Sequence, residues 1–411
     1  MKDSVHALGA QWLSSVYVAA VSLGLTFALG RVMGPETFGG YSYVLTVASL
    51  FLILQDGGFK TLLFRERTPV QDQERRRDDG LSGRATGHVL VATVVGLALA
   101  LLLPSPLAVA VAVACFGLQA LVNFVSSELR AGGAFGRDAI WLAAARTAGA
   151  VGVLAGLWLA PRDVWPVFAG WACGLAACLL WSRRALAVDV PSRPVLGGLM
   201  GGGVLRACLA FMVVDAATTL YYRVDIILLE HMGHGGAELG QYAAAYRFLD
   251  GVVLLAAPLG AVWFRILRRH WLDHERFMSL VRLMSLALLG AAGLVVAAGL
   301  VLGEAVVLLT FGPEYGQAVR LLPWVLAAVV FVLPNGILTQ AAIACGAERM
   351  YALAACVCAG LNVVLNWLLI PRFGAFGAAG ATVITEAVLT ALLVWGLARR
   401  PRTVPEVGHG G

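Results

Sequence analysis

Twelve apolar stretches, each about as long as a membrane is thick, run through the 411 residues of this chain. A helix crossing ~30 Å of hydrocarbon needs ~20 mostly apolar residues. Hydrophobic residues make up 60% of the chain and charged ones 13%. No soluble domain of this size leaves so much apolar sequence in such runs. The spans fall at residues 10–30, 41–64, 86–103, 107–127, 139–160, 164–182, 204–229, 240–263, 280–302, 320–343, 351–370 and 376–398. Each is predicted to be helical, because hydrocarbon offers no partner to an unpaired backbone group. A closed barrel needs alternating polarity, which these runs lack.

The arginines between the spans are one-sided. With the N-terminus inside, the inner segments hold 22 basic residues and the outer ones only Arg31, Arg162, Arg320 and Arg372. That bias places both termini in the cytoplasm. The net charge of +6 is then mostly a topology signal. Nucleic-acid binding is excluded, since no basic patch is interleaved with stacking aromatics. The run Arg75-Arg76-Arg77-Asp78-Asp79 reads as a solvated inner anchor, with a binding role as the lesser alternative. The first span lacks a small-residue cleavage site and reads as a retained helix. The seven cysteines all lie in or beside apolar segments, as small buried thiols do. His231 and His234 come without a carboxylate cluster, so no metal or other cofactor is predicted.

The Gly-rich stretch 197–203 divides the chain into 1–196 and 204–398, with a disordered tail at 399–411. The halves echo one another. Phe38-Gly39-Gly40-Tyr41 opens the second span and Leu239-Gly240-Gln241-Tyr242 the eighth; Gly136-Arg137 precedes the fifth and Glu348-Arg349 the eleventh. Six spans per half give both halves the same orientation, the parallel type of repeat. The predicted fold is therefore an all-α integral membrane protein. It has two six-helix bundles related by a pseudo-repeat, with a central cavity.

Several motifs together resemble a family. Leu29-Gly30-Arg31-Val32-Met33-Gly34-Pro35-Glu36-Thr37-Phe38-Gly39-Gly40-Tyr41 is similar to the start of the bacterial polysaccharide-export flippases. So are Asp56-Gly57-Gly58-Phe59 with Arg65-Glu66, Arg223-Val224-Asp225 with Gly240-Gln241-Tyr242, and Phe311-Gly312-Pro313-Glu314-Tyr315. The strongest likeness is Asn362-Val363-Val364-Leu365-Asn366 with Ile370-Pro371-Arg372-Phe373-Gly374-Ala375-Phe376-Gly377-Ala378-Ala379. That family belongs to the multidrug/oligosaccharidyl-lipid/polysaccharide exporter superfamily. The resemblance implies a bacterial cytoplasmic membrane and a lipid-linked oligosaccharide cargo, usually on undecaprenyl pyrophosphate. A polysaccharide polymerase or export machinery would be a further partner. The superfamily's lipid II flippases have two more helices, for which this chain has no room.

Charges inside the spans are the candidate functional residues, since each uncompensated one costs ~3 kcal/mol or more near the bilayer centre. The seventh span carries Asp215, Arg223 and Asp225, and the eighth carries Arg247 and Asp250. A turn around 231–239 sets Arg223 level with Arg247. Two guanidiniums at one depth suit a pyrophosphate. The structural alternative is an ion-pair network, since Arg247 and Asp250 are three apart on one face. Tyr246 shares that face and either stacks on sugars or belongs to the interfacial belt with Tyr242. Asp56 and Lys60 are four apart: a local ion pair, or an entry contact for the cargo phosphate from Lys60. Arg146 lies near the inner end of the fifth span, where snorkelling explains it equally well. Glu386 and Asp215 sit mid-span, where a desolvated carboxyl favours its protonated form and can exchange protons. Asn362 and Asn366 share one helix face, as cavity-lining groups or interhelical hydrogen-bond donors. Pro334-Asn335 interrupts the tenth span and is predicted to kink it, a candidate hinge.

These residues favour a flippase working by alternating access. No G-x-x-x-x-G-K-[ST] sequence is present, so an ion or cargo gradient must drive it. Small-molecule efflux is the second reading, disfavoured for cationic drugs by the arginines. A membrane enzyme is the third, and the short outer loops leave little room for a catalytic site.

Overall fold

The computed structural model describes residues 2–68, 80–185, 193–197 and 221–399, with single helical positions at 209, 212, 216 and 219. Asp215, the 75–79 run, residues 198–203 of the Gly-rich stretch and the tail from 400 lie outside the described residues. Among the described residues all regular structure is helical. The chain forms two compact units, Met1–Ile227 and Leu228–Gly411.

In the first unit, α1 (Lys2–Asp56) holds the first span and most of the second, α2 (Phe59–Arg67) continues the second, and α3 (Leu81–Ala100), α4 (Pro106–Ala131), α5 (Phe135–Leu159) and α6 (Trp165–Ala185) follow. Residues 221–229 form the described part of α7, which runs into a π-helical turn at Glu230–His234. The second unit adds α8 (Ala237–Arg269), α9 (His274–Thr310), α10 (Gly316–Ala327), α11 (Val329–Ala344) and α12 (Glu348–Ala398). Eight helical stretches among the described residues are long and apolar enough to cross a membrane.

Two of those stretches each hold two spans. Helix α1 is broken at Gly34 (φ 73°, ψ 170°) and α12 at Gly374 (φ 53°, ψ −133°). A β-carbon disfavours such dihedrals, so glycine takes both corners. Pro35 follows the first corner and Pro371 precedes the second. A Cβ on Gly377 would meet the Leu369 carbonyl oxygen at 2.5 Å. In a straight helix, residues eight apart are ~12 Å apart, so α12 reverses at its glycine. Glu238 fixes that corner: its Oε1 accepts the Ala375 N–H at 2.8 Å, and its Oε2 lies 2.9 Å from His234 Nδ1. Gly374→Ala adds a strained φ and a Cβ only 2.0 Å from Glu238 Oε1. The expected loss is ~2 kcal/mol, read as a lower melting temperature of the purified protein.

The tightest pairing is α5 on α6, and small residues make it possible. A Cβ at Gly152 would lie 2.0 Å from the Gly170 carbonyl oxygen, one at Gly156 2.1 Å from that of Pro166, and one at Gly174 2.2 Å from that of Ala148. Lipid supplies no hydrophobic drive between helices, so close backbone contact takes over. The α3 backbone is approached in the same way. Val195 donates its N–H to the Gly83 carbonyl at 2.9 Å, and the Val195 carbonyl covers Gly87. The segment at 193–197 is thus strapped along α3.

In the second unit α11 packs on α8, α9 and α12. Gln241 joins α8 to the start of α10, donating to the Glu314 carbonyl at 2.7 Å and accepting from the Ala318 N–H at 2.8 Å. Arg268 donates to the Ala344 carbonyl at the end of α11. The tenth span is interrupted at Ala328, between α10 and α11, whereas α11 continues through Pro334. Pro323 in α10 and Pro334 in α11 both lie inside their helices, on either side of that break.

Candidate functional site

In the first unit Arg146 is a charge carried inside a spanning helix. It lies near the middle of α5, not at its inner end, because the helix already begins at Phe135. Its Nη2 donates to Ser22 Oγ on α1, and its guanidinium carbon lies 5.9 Å from the Trp171 ring centroid on α6. That distance is within cation–π range. Its Nε is buried with no hydrogen-bond partner among the described residues. Snorkelling therefore does not describe it: the charge is held inside the bundle by a hydroxyl and a ring face.

Asp56 and Lys60 do meet, but through the backbone. Asp56 Oδ1 accepts the Lys60 N–H at 2.9 Å. The carboxylate thus serves the first turn of α2, just past the left-handed Gly57 and Gly58. The Lys60 side chain is half-buried. Asp225 is buried and accepts the Ile226 N–H, while Arg223 is half-buried and engaged in a contact of its own. Residues 223 and 247 belong to different units.

In the second unit Arg247 Nη1 donates to Asp250 Oδ2 at 2.8 Å, forming the expected i,i+3 ion pair. Arg247 Nε, like that of Arg146, is buried without a partner among the described residues. Tyr242 and Tyr246 are both buried, with ring centroids 5.6 Å apart. Tyr242 is fully enclosed, unlike a residue of an interfacial belt.

A polar layer joins α11 to α12. Asn335 Nδ2 donates to Glu386 Oε2 at 2.7 Å and to the Glu386 carbonyl at 3.0 Å. Thr390 Oγ1 donates to Asn335 Oδ1 at 2.8 Å. Asn362 Nδ2 donates to Thr385 Oγ1, and Asn366 Nδ2 to Asn362 Oδ1. Glu386, Asn362 and Asn366 therefore come together on α12 and its return. Asn335 and Thr390 complete the layer; in sequence, Asn335 stands out only as part of a kink. Its link to Glu386 spans 51 positions, which no local pattern reveals.

A further polar cluster has no signature in the sequence. Arg67 Nη2 donates to Ser82 Oγ at 2.8 Å, Ser82 Oγ donates to Glu128 Oε1 at 2.6 Å, and Ser126 Oγ donates to the buried Asp138. It ties α2, α3, α4 and α5 together. By contrast, the groove of about 810 Å³ on the α5–α6 face is lined by residues such as Ala148, Gly152, Ala169 and Gly170, and by no charged side chain.

Residues 8–169 match a family described as polysaccharide biosynthesis protein. No curated protein matches the sequence. Among solved structures, the chain is similar to the lipid II flippase MurJ in an inward closed conformation, at 13% identity and TM-score 0.72, covering 97% of this chain and 88% of that one. It is similar to an inward-facing multidrug resistance MATE family transporter of the MOP superfamily, at 13% identity and TM-score 0.68, covering 94% and 97%. A MOP superfamily transporter from Pyrococcus furiosus gives 13% identity and TM-score 0.60, covering 96% and 95%. The chain is thus a multi-pass helical membrane protein with the fold of the MOP superfamily, matched over residues 8–169 by the polysaccharide biosynthesis protein family.

Proposed function

We propose that the protein is a flippase. It carries a prenyl-pyrophosphate-linked oligosaccharide across the bacterial cytoplasmic membrane for surface polysaccharide biosynthesis, by alternating access. The observation that carries this reading is the pair of buried, unpartnered guanidinium N–H groups among the described residues, on Arg146 in one unit and Arg247 in the other. A desolvated donor left unsatisfied costs ~1–3 kcal/mol. A phosphate oxygen would remove that cost and match the guanidinium fork. Arg223 and Lys60 are the further candidate contacts for the cargo phosphate. The prenyl chain stays in lipid while the head group crosses.

The test is reconstitution in liposomes with a fluorescent prenyl-pyrophosphate oligosaccharide, scored by its accessibility to an external quencher. Protein-dependent transfer is the expected result. Transfer no faster than in protein-free liposomes, with uptake of a fluorescent organic cation instead, would replace this reading with drug efflux.

A further inference from the structure

We propose that Glu386 is the proton-carrying group of the transport cycle, with Asn335 as the side chain that senses its charge. This rests on reading the chain as a transporter. Glu386 is 4% exposed and lies well inside the second half of α12. A carboxylate there is costly, and such residues in spanning helices face partners or pathways.

The amide orientation is fixed by chemistry. The Glu386 carbonyl can only accept, so the Asn335 atom 3.0 Å from it must be nitrogen. The Thr390 hydroxyl, which can donate or accept, fits that orientation, lying 2.8 Å from Asn335 Oδ1 and 2.9 Å from the Glu386 carbonyl. The carboxyl therefore meets a donor in either protonation state. At Asn335 the amide presents its nitrogen to the carboxyl and its oxygen to Thr390, so this contact is made to the carboxyl oxygen itself, the atom that gains and loses the proton.

Tyr351 and Cys358, on the first half of α12, lie within electrostatic reach of Glu386. Asn362 bonds to Thr385 beside it. On α8, Arg247 is paired with Asp250 and Arg268 with the Ala344 carbonyl. The step is one proton added to the carboxylate from one side and released to the other. Neutralisation weakens the charge-assisted bond from Asn335. Asn335 follows Pro334, which leaves α11 one backbone hydrogen bond short at the turn that carries the contact to Glu386.

Difference infrared spectroscopy on the full-length protein tests the site without any cargo. A protonated-carboxyl band should titrate in the wild type and vanish in Glu386→Gln. In Asn335→Ala it should titrate at higher pH, since the donor that favours the charged form is gone. Transport in liposomes tests the coupling. A gradient of one pH unit should accelerate the wild type by up to about tenfold, Glu386→Gln should lose that acceleration, and Glu386→Asp should keep part of it. A band that survives in Glu386→Gln, or acceleration by a sodium gradient at symmetric pH, overturns the proposal. A band that behaves as expected without movement of the oligosaccharide supports the proton site and sinks the cargo assignment instead.

Discussion

A leucine in place of Gly152 is expected to leave almost no folded protein to purify. The Cβ alone would sit 2.0 Å from the Gly170 carbonyl oxygen. That atom is backbone, so no side-chain rotation relieves the clash. Helices α5 and α6 would have to separate, and Gly156 and Gly174 would lose their contacts with Pro166 and Ala148. Overpacking of a tight core costs ~1–3 kcal/mol and occasionally more, and a backbone clash within a closely apposed helix pair belongs at the upper end. Gly290→Ala on α9 is the control, since nothing lies within 4 Å of its Cβ. Size-exclusion profiles in detergent should show Gly152→Leu aggregated and Gly290→Ala unchanged.

Replacing Arg247 by alanine should cut transport roughly tenfold to a hundredfold, the worth of ~1.5–3 kcal/mol for hydrogen bonds to a charged group. It should also lower stability by ~2 kcal/mol, below the range for a fully buried pair, because Asp250 keeps 29% of its side chain exposed. The double variant with Asp250→Asn separates the two effects. Removing the orphaned carboxylate restores melting temperature. If Arg247 holds cargo, transport stays low in the double variant. Recovery of both would reduce the arginine to a structural partner.

The spans are legible in the sequence because length and apolarity are properties of a stretch. The corners are not. Gly34-Pro35 and Pro371 to Gly374 read as loops of several residues, yet each break sits at one glycine. The depth of Arg146 is hidden for a similar reason. Phe135-Gly136-Arg137-Asp138 looks like a polar loop, but it is the first turn of α5, with Asp138 buried against Ser126. The Arg247–Asp250 pair is readable from i,i+3 spacing, and the face shared by Asn362 and Asn366 from i,i+4 spacing. The partner of Glu386 is not, since tertiary packing alone brings Asn335 to it.

The single-glycine corners also decide where the molecule tolerates intrusion. A protease needs an extended stretch of several residues to thread its cleft, and neither corner offers one. Epitope tags spliced in at Gly34 or Gly374 would prise adjoining helical segments apart, so labels for topology mapping belong elsewhere on the chain.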